Sequence, residues 1–210
     1  MRIGIIGAGE IGATLAQRFV GVGHQVVLAN SRGPESLAEL AESLGSAATA
    51  GTLQDAVGRT EIVVLAIPFN RYLELPVEPF AGRIVVDAGN YDIARDGHYP
   101  ALDRGETTSG QLLAAHLSGA TVIKACNTIW YRRLRDEARP QRPASDRLAI
   151  PVAGDDPAAK ATVVALIDEL GFAAVDTGSL GQSRKQEYGT PVFNKPVGPA
   201  EALTLLRLVD

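Results

Sequence analysis

The sequence predicts an α/β fold with a doubly wound, mostly parallel sheet of about eight strands and helices on both faces. Apolar strand patterns and amphipathic helix patterns alternate along the chain, as in proteins built from successive βαβ units. The strand patterns at 62–67 and 83–87 are almost continuously apolar, which is typical of strands covered on both faces. A glycine-rich turn after residue 6 leads directly from the first strand into a helix.

The individual elements follow from the period of the apolar residues and from the turn residues between them. Strands are expected at 2–6, 25–29, 46–49, 61–66, 83–87, 121–126, 148–153 and 172–176. Helices are expected at 11–21, 35–44, 52–57, 69–75, 109–117, 157–170 and 200–208. An acidic cap and a proline at Asp156-Pro157 are a typical helix start.

The first turn carries Gly7, Gly9 and Gly12, the dinucleotide-binding pattern of Rossmann folds, in the strand–turn–helix context that this pattern requires. Gly7 permits the tight turn, Gly9 leaves room for a pyrophosphate, and Gly12 lets the helix lie close to the strand. The free N–H groups of the helix start then hold the phosphates. Glycines that merely pack a βα turn are the alternative.

The end of the second strand indicates which nucleotide binds. NAD-preferring sites place an acidic residue there to hold the ribose 2′-hydroxyl, whereas this chain has Asn30, followed by Ser31 and Arg32. A hydroxyl and a guanidinium favour a 2′-phosphate. We therefore expect NADP(H) as the cofactor. The alternative is that Ser31 and Arg32 are ordinary polar loop residues.

Several residues follow the strands whose carboxyl ends should border the nicotinamide, because ligands of open parallel sheets bind there. They are Pro68 after the fourth strand, Asn90 after the fifth, and Asn127 with Thr128 after the sixth. The amides and the hydroxyl can bond a carboxamide or a substrate. Simple strand termination at Pro68 and a local turn at Asn127-Thr128 are the alternatives.

No residue is an obvious proton donor, and the catalytic residues stay unknown. His24 should lie on the wrong side of the sheet, and His116 late in a helix. His98 and Tyr99, in a long loop, remain candidates. Lys124 lies in a strand whose end meets the site, so a role there is conceivable, but the side chain is expected to extend to the surface. Cys126 is expected to be a small buried apolar residue. Hydride transfer between two ring systems makes less demand on a dedicated acid.

Composition excludes several classes of function. The chain has 210 residues, 46% of them hydrophobic and 21% charged, with a net charge of −4, so no nucleic-acid partner is expected. One cysteine and three scattered histidines leave no disulfide framework and no metal site. No apolar run reaches membrane-spanning length, and strand one begins at residue 2, so we expect a cytoplasmic protein without a membrane partner.

Two loops interrupt the regular alternation, at 89–108 and 178–199, and long loops in compact domains are often functional. We expect one NADP-binding domain over 1–210, with 178–210 as a loop-rich extension packed on it. The loops are candidates for an acceptor pocket or a dimer contact. Aromatic residues for a stacking wall, or for pinning the loops, are Tyr91, Tyr99, Trp130, Tyr131, Tyr188 and Phe193.

The sequence resembles the NADPH:F-420 oxidoreductase family over essentially its whole length. The matching segments are 4–12, the Asn30-Ser-Arg32 corner, 64–68, 124–128 and 151–156. The resemblance implies hydride transfer between NADP and a reduced or oxidised 5-deazaflavin, coenzyme F-420, and a homodimer. The N-terminal oxidoreductase domain of membrane metalloreductases, where NADPH feeds a flavin, is similar as well.

The resemblance also implies roles for individual residues. Glu10 and Ile11 join the three glycines around the pyrophosphate, and Ser31 with Arg32 holds the 2′-phosphate. Ile67-Pro68 and the Asn127-Thr128 turn border the site of hydride transfer. The chain departs from the family pattern at Asn127, at Trp130-Tyr131 and in the Gly/Pro-rich segment 178–199, which affects the second substrate and not NADP.

Three functions agree with these observations. The first is an NADP-dependent oxidoreductase with a flavin or deazaflavin as the small-molecule redox substrate. The second is a reductase of a small imine or carbonyl, which is weaker because relatives of that type add a C-terminal helical domain. The third is a non-catalytic NADP-binding sensor or interaction protein.

Overall fold

A single eight-stranded sheet organises the chain in the computed structural model, which describes residues 1–209. The strands are β1 (Arg2–Ile6), β2 (Gln25–Ala29), β3 (Ala48–Ala50), β4 (Ile62–Leu65), β5 (Ile84–Asp87), β6 (Thr121–Ala125), β7 (Ala149–Gly154) and β8 (Ala173–Gly178). Their order in the sheet is β3-β2-β1-β4-β5-β6-β7-β8. The predicted Rossmann-type α/β class is therefore confirmed, and each predicted strand is present.

Nine α-helices connect the strands within residues 1–209. They are α1 (Glu10–Gly21), α2 (Ala38–Leu44), α3 (Leu53–Gly58), α4 (Ile93–Asp96), α5 (Pro100–Asp103), α6 (Ser109–His116), α7 (Tyr131–Asp136), α8 (Pro157–Glu169) and α9 (Pro199–Leu206). Shorter 3-10 helices lie at Pro34–Leu37, Phe69–Glu74, Glu78–Phe80, Ala144–Asp146 and Leu180–Gln186. The short helices α4, α5 and α7 were not predicted, because they are too short to show an apolar period.

Apolar side chains cover both faces of the sheet, as the continuously apolar strand patterns predict. One cluster joins α1, α2, α7 and α8 to residues such as Ile5 and Val64. The other joins α3, α6 and the 3-10 helix Phe69–Glu74 to alternate residues of the same strands, among them Ile6 and Leu65. A third, smaller cluster packs α9 against β7 and β8.

The strand order changes direction between β1 and β4, which pair in parallel from Ile3↔Ile62 to Ile6↔Leu65. The chain leaves β1 towards β2 and β3 and then returns to β4 on the other side. Ligands of such sheets bind beyond the carboxyl ends of the strands at this point. The glycine-rich turn, the end of β4 and the end of β5 all meet there.

Strand β7 runs antiparallel to β6, with Ala125 opposite Val152. This is the one antiparallel pairing among the described residues, and because β8 pairs in parallel with β7, both β7 and β8 run opposite to β1–β6. The starts of β7 and β8 therefore lie on the side of the sheet where β6 ends. The segment that follows β8 returns to this edge, where Gln186 Nε2 donates to Asn127 Oδ1.

Candidate functional site

The turn after β1 has the geometry that its three glycines predict. Gly7 has a φ of 101°, and its N–H donates to Ala29 O at 2.8 Å. A Cβ on Gly12 would collide with the carbonyl oxygen of Gly7, so glycine is needed for the helix to lie this close. A Cβ on Gly9 would meet no atom within 4 Å, so Gly9 faces open space. That space is where a pyrophosphate would approach the backbone.

Helix α1 begins without a side-chain cap, because Gly9 occupies the N-cap position. Its first N–H groups are therefore available to an anion, and the helix dipole favours negative charge there. Glu10 and Ile11 are the first two residues of the helix. The Glu10 carboxylate would lie beside a phosphate of the same charge. The backbone N–H of Glu10 is therefore the group that can bind the pyrophosphate.

The corner after β2 is held by its own hydrogen bonds. The Asn30 Oδ1 accepts from the Arg32 N–H at 2.9 Å, and the Asn30 amide donates to Ser36 Oγ at 2.9 Å. Ser36 Oγ in turn donates to Gly33 O at 2.7 Å. Ser31 and Arg32 are exposed, and within residues 1–209 the Arg32 guanidinium makes no ion pair. Asn30 thus shapes a corner that presents a cation.

The end of β4 lies against the glycine turn. A Cβ on Gly7 would lie 2.8 Å from Ile67 Cγ2, and a Cβ on Gly89 would lie 3.0 Å from Ile67 O. Ile67 therefore packs between the turns after β1 and β5. Pro68 is exposed and caps the 3-10 helix Phe69–Glu74, so it both ends the strand and stays accessible.

Two asparagines join the ends of β5 and β6. The Asn90 amide donates to Asn127 O at 2.8 Å, and the Asn127 amide donates to Asn90 Oδ1 at 2.9 Å. The second Asn127 N–H donates to Gln186 O at 2.7 Å. Because both N–H groups of Asn127 are used and its side chain is buried, this residue holds the turn together. Half-buried Asn90 keeps one N–H for a ligand.

A fully buried ion pair lies beneath these turns. Lys124 Nζ donates to Asp87 Oδ2 at 2.9 Å, to Gly89 O at 2.7 Å and to Ser109 Oγ at 2.9 Å, and the side chains of Lys124 and Asp87 are both 0% exposed. The expectation that Lys124 reaches the surface was wrong. The partner carboxylate is on the neighbouring strand, paired in register with Lys124, and sequence alone does not show that pairing.

The network continues on both sides of the pair. The Tyr72 hydroxyl donates to Asp87 Oδ1, and burial together with the Asp87 charge raises the pKa of Tyr72 well above its usual value. On the other side, Ser109 donates from its N–H and its hydroxyl to Glu187 Oε1, at 2.9 and 2.8 Å. Tyr72 is therefore a neutral hydrogen-bond donor to Asp87.

The histidines and the cysteine lie outside any reactive arrangement. His24 is buried between the Met1 amino group and Glu169 Oε2, at 3.2 and 2.8 Å, and His116 bonds Leu75 O at 2.8 Å. Exposed His98 contacts Asp103 at 3.0 Å. Cys126 follows β6 with a φ of 62°, and burial raises the pKa of its thiol to about 12, so the thiol stays protonated and unreactive at neutral pH.

Aromatic residues fall into three groups at the carboxyl edge. Tyr91 and Tyr99 stack edge-on against Phe69, at 5.4 and 4.9 Å between ring centroids, and pin loop 89–108 to the body. Trp130 and Tyr131 form a second pair at 5.7 Å. Tyr188 and Phe193 form the third, at 5.1 Å. Trp130 and Tyr188 are exposed, so they can contact a ligand.

Helix α7 adds a cation near the glycine turn. The Arg132 guanidinium lies 5.0 Å from the Trp130 ring centroid and donates to the Tyr131 hydroxyl at 3.1 Å. Its pKa is raised, chiefly by that hydrogen bond and to a smaller extent by the Glu10 charge at the start of α1. Arg132 was not among the predicted site residues, because α7 gave no sequence signal.

Residues 1–209 contain neither a candidate membrane-spanning helix nor a grouped set of metal ligands. Every helix there is too short or too polar to span a lipid bilayer. In the same residues, no three His, Cys, Asp or Glu side chains are grouped as metal ligands.

The family model described as "NADP oxidoreductase coenzyme F420-dependent" matches residues 2–91. Those residues include the glycine turn, the Asn30–Arg32 corner and the ends of β4 and β5. The metalloreductase STEAP3 of Rattus norvegicus is 31% identical over 189 residues, which are 89% of this chain and 36% of that protein. The chain thus spans about a third of the length of the metalloreductases that it matches.

Two solved structures are similar over most of both chains. A hypothetical protein from Sinorhizobium meliloti is 33% identical with a TM-score of 0.78, covering 94% of this chain and 96% of that one. A protein from Arthrobacter sp. FB24, described as an F420-dependent NADP reductase, is 27% identical with a TM-score of 0.73. That match covers 88% of this chain and 87% of the other.

Proposed function

Because the chain belongs to the family of coenzyme F420-dependent NADP oxidoreductases, we propose that it transfers hydride between NADP(H) and a flavin or deazaflavin. The single observation that carries the cofactor assignment is the exposed, unpaired Arg32 in a corner pre-shaped by Asn30. A 2′-phosphate supplies the anion that this corner lacks.

The residues present fit the cofactor at three points. The open space at Gly9 and the uncapped start of α1 accept the pyrophosphate. Ser31 and Arg32 accept the 2′-phosphate. Asn90 and Thr128 border the nicotinamide, while Asn127 holds Asn90 in place. NADPH bound in this way supplies a hydride to a planar acceptor beside it.

The chain's own contribution is positioning and charge. No proton donor is grouped with the strand ends within residues 1–209, since Tyr72 and Lys124 are buried in bonds to Asp87. That arrangement suits hydride transfer between two rings, for which the enzyme mainly has to hold the rings against each other. The names of the family and of the Arthrobacter protein point to the deazaflavin coenzyme F420, and the name of the metalloreductases points to a reductase.

Arg32→Ala tests the cofactor assignment. We expect the Kd of NADPH to rise about 30-fold, because a charge-assisted bond to phosphate contributes about 2 kcal/mol. The Kd of NADH should stay unchanged, since NADH has no phosphate at this position. Calorimetric titration of both nucleotides measures the two effects. Arg207→Ala, which removes an exposed arginine at the C-terminal end of α9, is the matched control. Equal losses of affinity for NADPH and NADH in Arg32→Ala would contradict the assignment.

An acceptor panel tests the reaction itself. We expect NADPH oxidation with FMN, FAD or coenzyme F420, followed by absorbance at 340 nm. Keto acids and cyclic imines form the second arm of the panel. Turnover of those compounds alone would favour a small imine or carbonyl reductase. Tight NADPH binding without turnover of any acceptor would favour a sensor.

A further inference from the structure

The loop 187–194 is fastened at both ends to one turn. At its start, Asn127 Nδ2 donates to Gln186 O at 2.7 Å, and at its end the Asn194 N–H donates to Thr128 O at 2.8 Å. Asn127 and Thr128 are consecutive residues at the end of β6. A loop from the distant C-terminal segment therefore lies fixed at the edge where the nicotinamide is expected.

Two adjacent side chains anchor the start of this loop. Gln186 is fully buried, and its Nε2 donates to Asn127 Oδ1 and Pro151 O, both at 3.0 Å. Glu187 Oε1 accepts both bonds from Ser109, which also binds Lys124. One anchor thus reaches the turn after β6 and the first half of β7, and the other reaches the start of α6. Anchoring at two points fixes both the position and the direction of the loop.

The loop is also closed on itself. Thr190 donates from its N–H and its hydroxyl to Glu187 O, at 3.2 and 2.8 Å. Tyr188 is 56% exposed, and its ring packs edge-on against Phe193. An aromatic ring that packs against one neighbouring ring and is otherwise exposed can stack on a planar ligand.

The flanks of the loop are positively charged. Arg184, Lys185 and Lys195 make no ion pair among the described residues, although the whole chain carries a net charge of −4. Local unpaired cations beside an exposed aromatic ring complement a ligand that joins a planar ring to an anionic tail.

We infer that loop 187–194 is the acceptor subsite, with Tyr188 contacting the ring and the flanking cations contacting a phosphate on the acceptor's side chain. Gln186 and Glu187 are positioning residues that hold the loop. The inference rests on the proposed function and deepens it: the acceptor is a phosphorylated planar heterocycle, and the unphosphorylated ring is a poor substitute.

Binding of FMN and riboflavin, which share one ring and differ in the phosphate, tests the subsite without turnover. Quenching of flavin fluorescence by the NADP-loaded protein gives both Kd values. We expect FMN to bind at least 10-fold more tightly than riboflavin, an advantage that salt reduces. Tyr188→Ala should weaken FMN binding about 10-fold, which corresponds to about 1.4 kcal/mol of stacking. Tyr188→Phe, which keeps the ring, should bind like the wild type.

Glu187→Gln and Glu187→Ala separate positioning from charge. The glutamine keeps an oxygen that accepts both Ser109 bonds, so its FMN affinity should equal that of the wild type. The alanine loses both bonds, so FMN affinity should fall several-fold, hydrogen exchange in 187–194 should accelerate, and the Kd of NADPH should stay unchanged. Equal losses in both variants would overturn the positioning role.

The outcomes distinguish this inference from the proposed function. If FMN is reduced by NADPH but binds equally well to Tyr188→Ala and the wild type, the subsite is wrong and the function stands. If FMN binding depends on Tyr188 and on the phosphate without any reduction, the subsite stands and the reaction is wrong. Leu203→Ala, which removes an exposed apolar side chain from α9, is the control variant.

Discussion

Single residues in the first turn show how one amino acid serves three physical purposes. Gly7 supplies a positive φ, Gly12 permits close contact between helix and strand, and Gly9 leaves a space that no protein atom fills. The motif in the sequence predicts all three purposes. The structure gives each of them a geometric basis.

Gly9→Ala should therefore weaken NADPH binding with little effect on stability, whereas Gly12→Ala should lower the stability of the fold. The Gly9 variant should change the free energy of unfolding by less than about 1 kcal/mol, because its methyl group enters open space. It should nevertheless raise the Kd of NADPH about 10-fold or more by obstructing the pyrophosphate. The Gly12 variant should lose about 2–3 kcal/mol of stability, because its methyl group collides with Gly7 O.

Urea unfolding and calorimetric titration of both glycine variants measure these effects. A Gly9 variant that binds NADPH like the wild type would show that the open space is not the pyrophosphate site. A Gly12 variant of normal stability would show that the helix can move away from the turn.

The asparagines mark the limit of residue-level prediction. Their positions after β5 and β6 are evident from the sequence, but their partners are not. Asn127 bonds Gln186, which is 59 residues further along the chain. Only the return of the C-terminal segment creates that contact. The sequence thus predicts where polar groups gather, while the model distinguishes those that hold the site from those that remain free.

Strand β6 is the element in which the sequence pattern misled the interpretation. A lysine within an apolar strand usually reaches water, but Lys124 has three acceptors inside the protein. Its carboxylate partner, Asp87, is itself the last residue of an apolar strand. Two neighbouring strands that each carry a charge of opposite sign close to the carboxyl end are the available signal, provided that their adjacency is known.

Lys124→Met should destabilise the protein by about 3–5 kcal/mol, because Asp87 is left charged and buried without a cation. Lys160→Met is the matched control. Lys160 pairs with Asp176, whose side chain is 64% exposed, so its loss should cost less than about 1 kcal/mol. Urea unfolding of both variants provides the comparison. Similar losses in the two would show that the buried pair is not specially coupled to the fold.

At the scale of the whole molecule, the alternation of strand and helix patterns was sufficient for the fold class and for all eight strands. It did not predict that β7 and β8 run opposite to the other six strands, because the direction of a strand depends on the path of its connection rather than on local pattern. It also gave no signal for the 3-10 helix Leu180–Gln186, since seven residues with two charges and a glycine show no apolar period.

The fastening of residues 187–194 to two consecutive residues has a consequence for how such proteins diversify. Since the ends are secured by main-chain atoms, by the Asn127 amide and by the side chains of Gln186 and Glu187, residues 188–193 can be exchanged without shifting any strand. Mutation can thereby alter which oxidant is accepted while leaving the nucleotide end untouched. A fold of this kind can acquire new redox partners by revising a single short stretch rather than by recruiting another domain.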